Sequence, residues 1–542
     1  MSQNGEFPDT VTLTIDGREV TVPKGTTILQ AAESLGNRIP HYCYHPGMSA
    51  PAQCRLCLVE VEGAPKLSPS CVSAAQDGQV VLTESEKAKG MREGVLEFYL
   101  KNHPLDCPIC DQSGECKLQD YVHEEGRKHG RSREPKRVFG RDDFGGDVLF
   151  YGDRCVMCTR CVRFMEEVAQ DPLLTVVERG SRSVIDTFFE EGLTGSPYAG
   201  NVVDICPVGA LVSKDFLHKA RAWDLDHTPS ICPNCSQGCN IDLHTRDDAV
   251  QRLKPRPNLD VNAYWMCDYG RHRYEWINRR DRLEAPVLRG EDGTRARDWP
   301  DAIEDVAARL MEAREAEKPV RAVASPHASN EDLAALRAVV ESLGGGDIVY
   351  RSRRAEDEVP LPGFSQLVRR RDLTPNARGA EILGATRVGD DGATGGLEEV
   401  STHEGVVIVL GDELSDQGAS FGQDAALYLY LGSHSTPAAD RADALLPVTT
   451  FAEQEGSFTN FEGRVQRFWP ALRPPGAARP AWMVLGALLA RVREDARRPA
   501  HVAAAFLRAG ELAPEFEGLA FETIGTRGAL VNDPVALSGG GS

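Results

Sequence analysis

Alternating apolar and polar residues near the start of the chain predict a small sheet followed by a helix. Residues 11–22 alternate on both sides of Asp16-Gly17, a pair that favours a tight turn, so this stretch predicts a β-hairpin. A short helix is predicted over residues 26–35, because a threonine at its start can cap it and Gly36 can end it.

Between residues 84 and 141 the pattern predicts one helix and then a basic loop. Apolar residues recur at helical spacing over residues 84–101. The residues expected to pack are Met91, Val95, Leu96 and Tyr99. The basic segment at 127–141 is either a solvated loop or a set of cations that offset buried negative charge or dock an acidic partner.

From about residue 279 onward, strand and helix patterns alternate. The apolar runs at 406–410 and 427–431 are typical of buried parallel strands. Gly344-Gly345-Gly346 is expected to end a helix, because no phosphate-binding motif surrounds it. The alternation predicts an α/β domain with a parallel sheet. The other predicted elements are helices at 302–310, 331–343 and, as the final helix, 482–492, strands at 320–324 and 348–350, and a disordered tail at 539–542.

Length and charge narrow the class of protein. The 542 residues are enough for several domains, and the net charge of −20 argues against general nucleic-acid binding and against docking on anionic lipid. The best apolar run, residues 482–492, is too short to span a membrane. The polar, acidic N-terminus has no signal or transit character. We therefore expect a soluble, cytosolic protein, attached to a membrane assembly only through other subunits.

Fifteen cysteines point to metal binding, because an odd number cannot form a fully paired disulfide framework. Cys155, Cys158 and Cys161 form C-x2-C-x2-C, and Cys206-Pro207 follows far downstream. Bacterial ferredoxins hold a [4Fe–4S] cluster with this pattern. The positions that would bind the second cluster of a two-cluster ferredoxin hold other residues, so we expect one cluster here. Those positions are Met165, Ser196, Ala199 and Val202.

A second group consists of Cys43, Cys54, Cys57 and Cys71. The preceding hairpin and helix, taken with these cysteines, resemble the β-grasp ferredoxin domain that holds a [2Fe–2S] cluster, although the first gap is ten residues instead of the usual four. A zinc site with four cysteine ligands is the alternative. It is disfavoured because paired-knuckle zinc sites usually show two short C-x2-C pairs.

The third group combines His103 with Cys107, Cys110 and Cys116. Three cysteines and one histidine suit either zinc or a [4Fe–4S] cluster, and the spacing does not decide between them. Because the other groups take four cysteines each, His103 is needed here as the fourth ligand. Imidazole in place of thiolate removes a negative charge, which should raise the reduction potential.

The fourth group consists of Cys232, Cys235, Cys239 and Cys267. A zinc ribbon is one interpretation. The spacing, including a second gap of three residues, resembles the N-terminal [4Fe–4S] module of molybdopterin oxidoreductases.

A series of motifs resembles one family, the large iron–sulfur subunit of respiratory complex I, the proton-pumping NADH:quinone oxidoreductase. In the first half they are Pro40-His-Tyr-Cys-Tyr-His, Gln53-Cys-Arg-Leu-Cys-Leu-Val-Glu-Val, Asn102-His-Pro-Leu-Asp-Cys-Pro-Ile-Cys-Asp, Arg154-Cys-Val-Met-Cys-Thr-Arg-Cys-Val-Arg and Gly200-Asn-Val-Val-Asp-Ile-Cys-Pro-Val-Gly-Ala-Leu. The second half is similar to the molybdopterin-oxidoreductase domain through Pro375-Asn-Ala-Arg-Gly-Ala, Ala444-Leu-Leu-Pro and Glu455-Gly-Ser-Phe-Thr-Asn-Phe-Glu-Gly-Arg-Val-Gln.

The resemblance implies a multidomain fold of α+β and α/β type. The expected order is a β-grasp [2Fe–2S] ferredoxin domain (1–85), a one-His three-Cys [4Fe–4S] segment (86–125), a [4Fe–4S] ferredoxin-like domain (126–218), a [4Fe–4S] module of molybdopterin-oxidoreductase type (219–278) and a shortened molybdopterin-oxidoreductase-like α/β domain without cofactor (279–542). The expected cofactors are one [2Fe–2S] and three [4Fe–4S] clusters. No molybdenum is expected, because no cysteine follows Cys267 and Tyr269 stands where related molybdenum enzymes commonly have lysine. Those enzymes can also bind the metal through serine, so a serine-ligated metal is the alternative.

The family implies an electron relay without a substrate active site of its own. Electrons would come from NADH through flavin in partner subunits and leave towards quinone, while the whole complex translocates protons. The implied partners are the flavin/NADH-binding subunit, the small [2Fe–2S] subunit and the ferredoxin-like two-cluster subunit, on the cytoplasmic side of the bacterial inner membrane. The alternatives are the molybdenum-containing catalytic subunit of an NAD-linked formate dehydrogenase, the relay subunit of an NAD-reducing hydrogenase, and a zinc-bound scaffold without a redox role.

Overall fold

The computed structural model describes residues 9–290, 293–389, 397–411, 414 and 416–531. The chain divides into two compact units. Unit 1 comprises residues 1–224 and 361–364, and unit 2 comprises residues 225–360 and 365–542. The predicted disordered tail, residues 539–542, lies outside the described residues.

Unit 1 consists of short elements joined by long loops. Its helices are α1 (Ile28–Ser34), α2 (Glu86–Leu100), α3 (Lys117–Glu125), α4 (Arg160–Arg163) and α5 (Asn201–Ile205). Its strands are β1 (Thr10–Ile15), β2 (Arg18–Pro23), β3 (Leu58–Val61), β4 (Ser68–Pro69), β5 (Val80–Leu82), β6 (Arg141–Asp143), β7 (Val148–Tyr151), β8 (Thr175–Val177), β9 (Val184–Asp186) and β10 (Leu211–Ser213).

The predicted hairpin and first helix are both confirmed. Strands β1 and β2 pair antiparallel, and Asp16 and Gly17 between them have φ angles of 47° and 79°, as a type I′ turn requires. The sheet continues in the order β2-β1-β5-β3-β4, with β5 parallel to β1. Thr27 begins α1 through a capping box with Gln30, and the apolar side of α1 packs into the core beside this sheet.

Helix α2 is present, and its buried side agrees with the prediction at Leu96 but not at Met91. It buries Ala88, Arg92 and Leu96, four residues apart, whereas Met91 is 43% exposed. Arg92 is buried because its guanidinium binds two glutamates and the carbonyl of Thr83. The apolar pattern missed Arg92 because an arginine is normally found at the surface.

The ferredoxin-like part of unit 1 contains two small antiparallel sheets. Strands β10, β7 and β6 form one of them in that order, and β8 pairs with β9. Helix α4 continues directly into a π-helical turn, Phe164–Val168, and α5 ends at the residue before Cys206. These short helices bring the cysteine-bearing loops together.

Unit 2 is built around one large sheet. Its helices are α6 (Asp268–His272), α7 (Trp299–Glu315), α8 (Asn330–Ser342), α9 (Ala377–Ile382), α10 (Glu398–Ser401), α11 (Ala481–Val492) and α12 (Val502–Leu512). Its strands are β11 (Asp226–Ile231), β12 (Asn240–Arg246), β13 (Ala249–Pro255), β14 (Val287–Gly290), β15 (Gly293–Ala296), β16 (Val320–Ala324), β17 (Gly346–Tyr350), β18 (Val359–Pro360), β19 (Val368–Arg369), β20 (Thr386–Arg387), β21 (Val406–Leu410), β22 (Leu427–Gly432), β23 (Ala444–Pro447), β24 (Gly456–Thr459), β25 (Arg464–Phe468) and β26 (Ala529–Leu530).

The large sheet has the strand order β15-β14-β23-β22-β21-β16-β17-β20. The strands from β23 to β20 are parallel, which confirms the predicted parallel sheet, and β14 joins β23 antiparallel at one edge. Residues of β21 and β22 are all buried and alternate between two cores. Helices α7, α8, α11 and α12 contribute to the core on one face.

The C-terminal part of the prediction is correct for one helix and wrong about the end. The predicted helix at 482–492 is α11, but it is not the last, because α12 follows. The alanine-rich run at 502–512 has high helix propensity and was a signal that could have found α12. In the described parts of the chain, no helix combines the length and the apolar character needed to cross a membrane.

Candidate metal centres

The sulfur atoms of Cys43, Cys54, Cys57 and Cys71 converge in the loops beside β3 and β4. Hydrogen bonds from Cys54 and then Cys71 lower the pKa of the Cys43 thiol, and the same bonds raise the pKa values of its two partners. A hydrogen bond with Cys71 lowers the pKa of Cys57 to about 7. The four thiols therefore form one continuous buried set, as a shared metal group requires.

Cys155, Cys158, Cys161 and Cys206 line one small cavity. Burial raises the pKa of Cys161 well above its usual value, and the charges of the other three cysteines raise it further. The remaining wall of the cavity is largely apolar and includes Phe150, Val156, Ile185, Val208 and Leu211. Four thiols pushed together in an apolar cavity fit a metal cluster, which would hold them as thiolates.

The backbone around this cavity points amide groups at the sulfur atoms. Met157 and Thr159 adopt left-handed φ angles of 52° and 56°, and the Met157 amide donates to Cys155 Sγ at 3.3 Å. Burial and the charge of Cys158 raise the pKa of Cys206 to about 11, while backbone amides at residues 208, 211 and 210 lower it in part. Hydrogen bonds to the sulfurs are one of the means by which proteins set cluster potentials.

The positions that a second ferredoxin cluster would use hold buried or half-buried side chains that pack in the interior. Met165, Ala199 and Val202 are buried and Ser196 is half-buried. None of these four side chains is a cluster ligand in the ferredoxin pattern, which takes thiolates or imidazoles.

The third group is partly assembled. Burial raises the pKa of Cys116 to about 11, and the charges of Cys110 and Cys107 add to this, so the three thiols lie near one another. Cys107 is exposed, whereas Cys110 and Cys116 are buried. The structure does not record a direct contact between His103 and these cysteines. Burial lowers the pKa of His103 to about 4, so its imidazole is neutral, the form that binds metal.

The loop that follows Cys206 lies against the third group. The backbone N–H of Lys117 donates to the carbonyl of Pro207 at 3.1 Å, which joins the residues after Cys116 and Cys206. A Cβ added at Gly209 would lie 2.2 Å from the Sγ of Cys110. Glycine is therefore needed at this position for the two cysteine-bearing loops to approach so closely.

In unit 2, Cys232, Cys235, Cys239 and Cys267 form the fourth set. Burial raises the pKa of Cys239 well above its usual value, and the charges of the other three cysteines raise it further. The Gly270 amide donates to Cys267 Sγ at 3.4 Å, and a Cβ added at Gly270 would lie 2.9 Å from Cys232 Sγ. The start of α6 thus packs tightly against two of the four sulfurs.

A cavity of unit 2, about 510 Å³ in volume, lies at the carboxyl ends of the parallel strands. Ser325, Gly411, Ser433 and Val448, which follow four of these strands, contribute to its wall. Ligands of α/β sheets usually bind at this edge. No cysteine among the described residues lines this cavity.

The sequence did not single out the arginines that bind the cysteine-bearing loops. Arg160 and Arg163 are buried beside Cys161, and Arg154 is buried beside Cys155. Their signal was present in the motif that begins at Arg154, where cations alternate with ligands.

In the described ranges, no group of three or more His, Cys, Asp or Glu side chains has the geometry to hold a single metal ion.

Family models match the chain in five segments. Residues 8–86 match a 2Fe-2S iron-sulfur cluster binding domain, 92–131 the NADH-ubiquinone oxidoreductase-G iron-sulfur binding region, and 145–212 the ferredoxin-like domain of NADH-quinone oxidoreductase subunit 3. Residues 225–279 match the molybdopterin oxidoreductase Fe4S4 domain, and 370–491 match molybdopterin oxidoreductase. Domains that bind 2Fe–2S and 4Fe–4S clusters are therefore present, in the predicted order.

One relative decides the family, and a second agrees with it. The mitochondrial NADH dehydrogenase (ubiquinone) iron-sulfur protein 1 of Solanum tuberosum is 43% identical over 63% of this chain and 46% of its own length. The mitochondrial 78 kDa subunit of NADH-ubiquinone oxidoreductase from Candida albicans is 32% identical over 93% of this chain and 85% of its own length. The chain belongs to the family of the large iron–sulfur subunit of complex I. The predicted resemblance to the large iron–sulfur subunit of complex I is thus confirmed, although the alignment spans less than half of the Solanum relative.

One solved structure also resembles this member of the complex I family in sequence. It is a chain of an NAD+-reducing [NiFe]-hydrogenase in the H2-reduced state, 32% identical, with 39% of this chain and 90% of that chain aligned. Its TM-score of 0.35 is too low to support an argument about the fold.

Proposed function

We propose that this chain is the electron-relay subunit of an NADH:quinone oxidoreductase, on the path from the NADH and flavin module towards quinone in a proton-translocating complex. The observation that carries the proposal is the convergence of four sulfur sets in a member of this family. When bound, iron–sulfur clusters supply one-electron carriers at fixed positions. The formate dehydrogenase alternative is not better supported by the relatives found.

The proposed ligands follow the four sets. One [2Fe–2S] cluster is assigned to Cys43, Cys54, Cys57 and Cys71, and three [4Fe–4S] clusters to the other sets. Those sets are His103 with Cys107, Cys110 and Cys116; Cys155, Cys158, Cys161 and Cys206; and Cys232, Cys235, Cys239 and Cys267. The neutral imidazole of His103, the backbone N–H donors and the apolar walls are the means by which the chain would set each potential.

We propose that the C-terminal domain holds no molybdenum. Support comes from the absence of cysteine after Cys267 in the sequence. Stoichiometric molybdenum or extractable pterin in the purified protein would contradict this and favour the formate dehydrogenase alternative.

The partners are proposed to be other subunits of the same complex. Cys107 is the one exposed cysteine among the described residues, and Leu105 and Ile109 beside it are 89% and 62% exposed. Large exposed apolar side chains beside a ligand support docking of another subunit at this end of the relay, for which we propose the ferredoxin-like two-cluster subunit. The flavin/NADH-binding subunit and the small [2Fe–2S] subunit would complete the set, on the cytoplasmic side of a bacterial inner membrane.

The decisive experiment is a count of iron, acid-labile sulfide, zinc and molybdenum in the purified chain, combined with EPR of the reduced state. We expect equal amounts of iron and sulfide, with signals of both cluster types. Cys158→Ser should remove one [4Fe–4S] signal, whereas Met165→Leu, at a position that holds no ligand, should leave all signals intact. Zinc without sulfide would instead establish the scaffold alternative.

A further inference from the structure

Two buried arginines of helix α4 join the [2Fe–2S] set to the four-cysteine set that lines the cavity in unit 1. Arg160 and Arg163 flank Cys161 and are 4% and 8% exposed. Both belong to a four-residue helix, so the same short segment carries a ligand and the two cations.

Arg160 connects the loop of the first set to the end of α5. Its Nη1 donates to the carbonyl of Ile205 at 3.1 Å, and its Nη2 donates to the carbonyl of Tyr44. Ile205 directly precedes Cys206, and Tyr44 directly follows Cys43. One guanidinium therefore holds the residues next to a ligand of each set.

Arg163 makes the parallel connection. Its Nη2 donates to the carbonyl of Cys43 itself at 2.5 Å, and its Nη1 donates to the carbonyl of Ser49. Gln53, which precedes Cys54, reinforces this contact, because its side chain donates to Thr159 Oγ1 at 2.9 Å. The first loop is thus fastened to the Cys158–Cys161 segment at several points.

Neither arginine has a carboxylate partner within ion-pair distance among the described residues. Arg154, buried in the same region, does have such a partner and pairs with Asp106 at 3.0 Å. A buried charge is costly unless another charge compensates it. Both arginines flank Cys161 and donate to carbonyls at or beside the ligands Cys43 and Cys206. The groups placed to compensate both cations are therefore cysteine thiolates of the two sets.

We propose that Arg160 and Arg163 form a cationic bridge that positions the Cys43 and Cys206 loops and raises the reduction potentials of both the [2Fe–2S] and the four-cysteine [4Fe–4S] site. The inference rests on the proposed function, because it requires clusters at these ligands. A fixed positive charge near a cluster favours the reduced state, which carries one more negative charge. The bridge would thereby favour entry of electrons at two neighbouring sites together.

The test is an EPR-monitored redox titration of the full chain with its clusters, after iron and sulfide have been counted. Arg160→Gln and Arg163→Gln should lower the equilibrium constant for reduction of both sites at least tenfold, about 59 mV for a one-electron couple. Arg160→Lys and Arg163→Lys keep the charge and should restore most of this loss. Arg221→Gln serves as the matched control, because Arg221 also donates to a ligand carbonyl, that of Cys110 at 2.8 Å in the third set. It should leave the potentials of these two sites unchanged.

Each outcome decides the matter. Gln variants with full iron and unchanged potentials, or Lys variants that shift as far as the Gln variants, would overturn the bridge while leaving the relay function intact. If the Gln variants lose iron, the Lys variants decide: clusters retained at near-native potential support the role of charge, and clusters lost again refute it. A native chain without iron would instead refute the proposed function itself.

Discussion

Unit 1 and unit 2 both contain buried sulfur sets, but the structure around these sets differs between the units. In unit 1 the sulfur sets lie on loops between short elements, and arginines bind the carbonyls of those loops. In unit 2 a large parallel sheet with buried residues on both faces carries the fold, and the fourth set lies among separate strands and turns before that sheet. Unit 1 has a smaller apolar core beside β1 and α1, so we expect its cysteine-bearing loops to depend on the metal they bind, whereas apolar burial on both faces of the sheet stabilises unit 2.

Removal of metal should give the largest difference in local stability between the two units. Chelation of iron under reducing conditions should open the loops of unit 1, because buried thiols lose their common partner, and binding to structural metal sites contributes on the order of 10 kcal/mol to folding. Hydrogen exchange should show loss of protection at β3 and α4, while β21 and β22 keep theirs. Equal loss of protection in both units would show that the sheet also depends on the metal.

A cavity introduced into the core of unit 2 should have the opposite effect: it should destabilise unit 2 and leave unit 1 intact. Leu429→Ala truncates a fully buried residue of β22, and such changes cost about 2–5 kcal/mol of unfolding free energy. Thermal or denaturant unfolding should show the unit 2 transition at lower stability, while the EPR signals of unit 1 remain. Leu507→Ala, at a residue of α12 that is 60% exposed, is the matched control and should change stability little. A change in the unit 1 signals would indicate that the two units do not unfold independently.

The two units were also predictable to different degrees. In unit 2 the strands at 320–324 and 406–410 were predicted to the residue, and the second is a continuous apolar run that leaves few alternatives. In unit 1 cysteine spacing indicated the sulfur sets, yet the sequence pattern placed Met91 in the core and left Arg92 out of it. A buried arginine is stabilised by partners distant in the chain, and a sequence pattern does not contain them. The same reason hid Arg160 and Arg163.

Unit 2 also contains buried acids, which should make its stability depend on pH. Burial raises the pKa of Glu331 to about 7, and its carboxylate accepts hydrogen bonds from the amide and hydroxyl of Ser457 at 3.0 and 2.8 Å. Neighbouring Asp332 also has its pKa raised, mainly by burial. Because the folded state then binds more protons than the unfolded state, stability should fall as pH rises from about 4.5 to about 7.

Glu331→Gln should remove much of that slope. Glutamine can keep both contacts to Ser457, since the hydroxyl can accept instead of donate. The variant should gain on the order of 3 kcal/mol at pH 8 and much less at pH 4, because each pKa unit corresponds to about 1.4 kcal/mol. Denaturant unfolding at several pH values measures this, and Glu494→Gln, at an exposed residue, should leave the slope unchanged. An unaltered slope in Glu331→Gln would assign the pH dependence to Asp332 or another group.

The smallest expected effect on overall stability comes from adding a methyl group beside a sulfur atom. This change can be made in both units. A Cβ at Gly209 in unit 1 would lie 2.2 Å from Cys110 Sγ, and one at Gly270 in unit 2 would lie 2.9 Å from Cys232 Sγ. Overpacking of this kind costs about 1–3 kcal/mol. Gly209→Ala should therefore displace Cys110 and weaken the signal of the His-containing set alone, and Gly270→Ala should affect the fourth set less. Gly94→Ala, where nothing lies within 4 Å, should leave every signal intact and stabilise helix α2 slightly. If Gly270→Ala proved the more damaging change, unit 2 would be the less tolerant of overpacking at its sulfur set. The contrast between the two units would then be reversed at their metal sites.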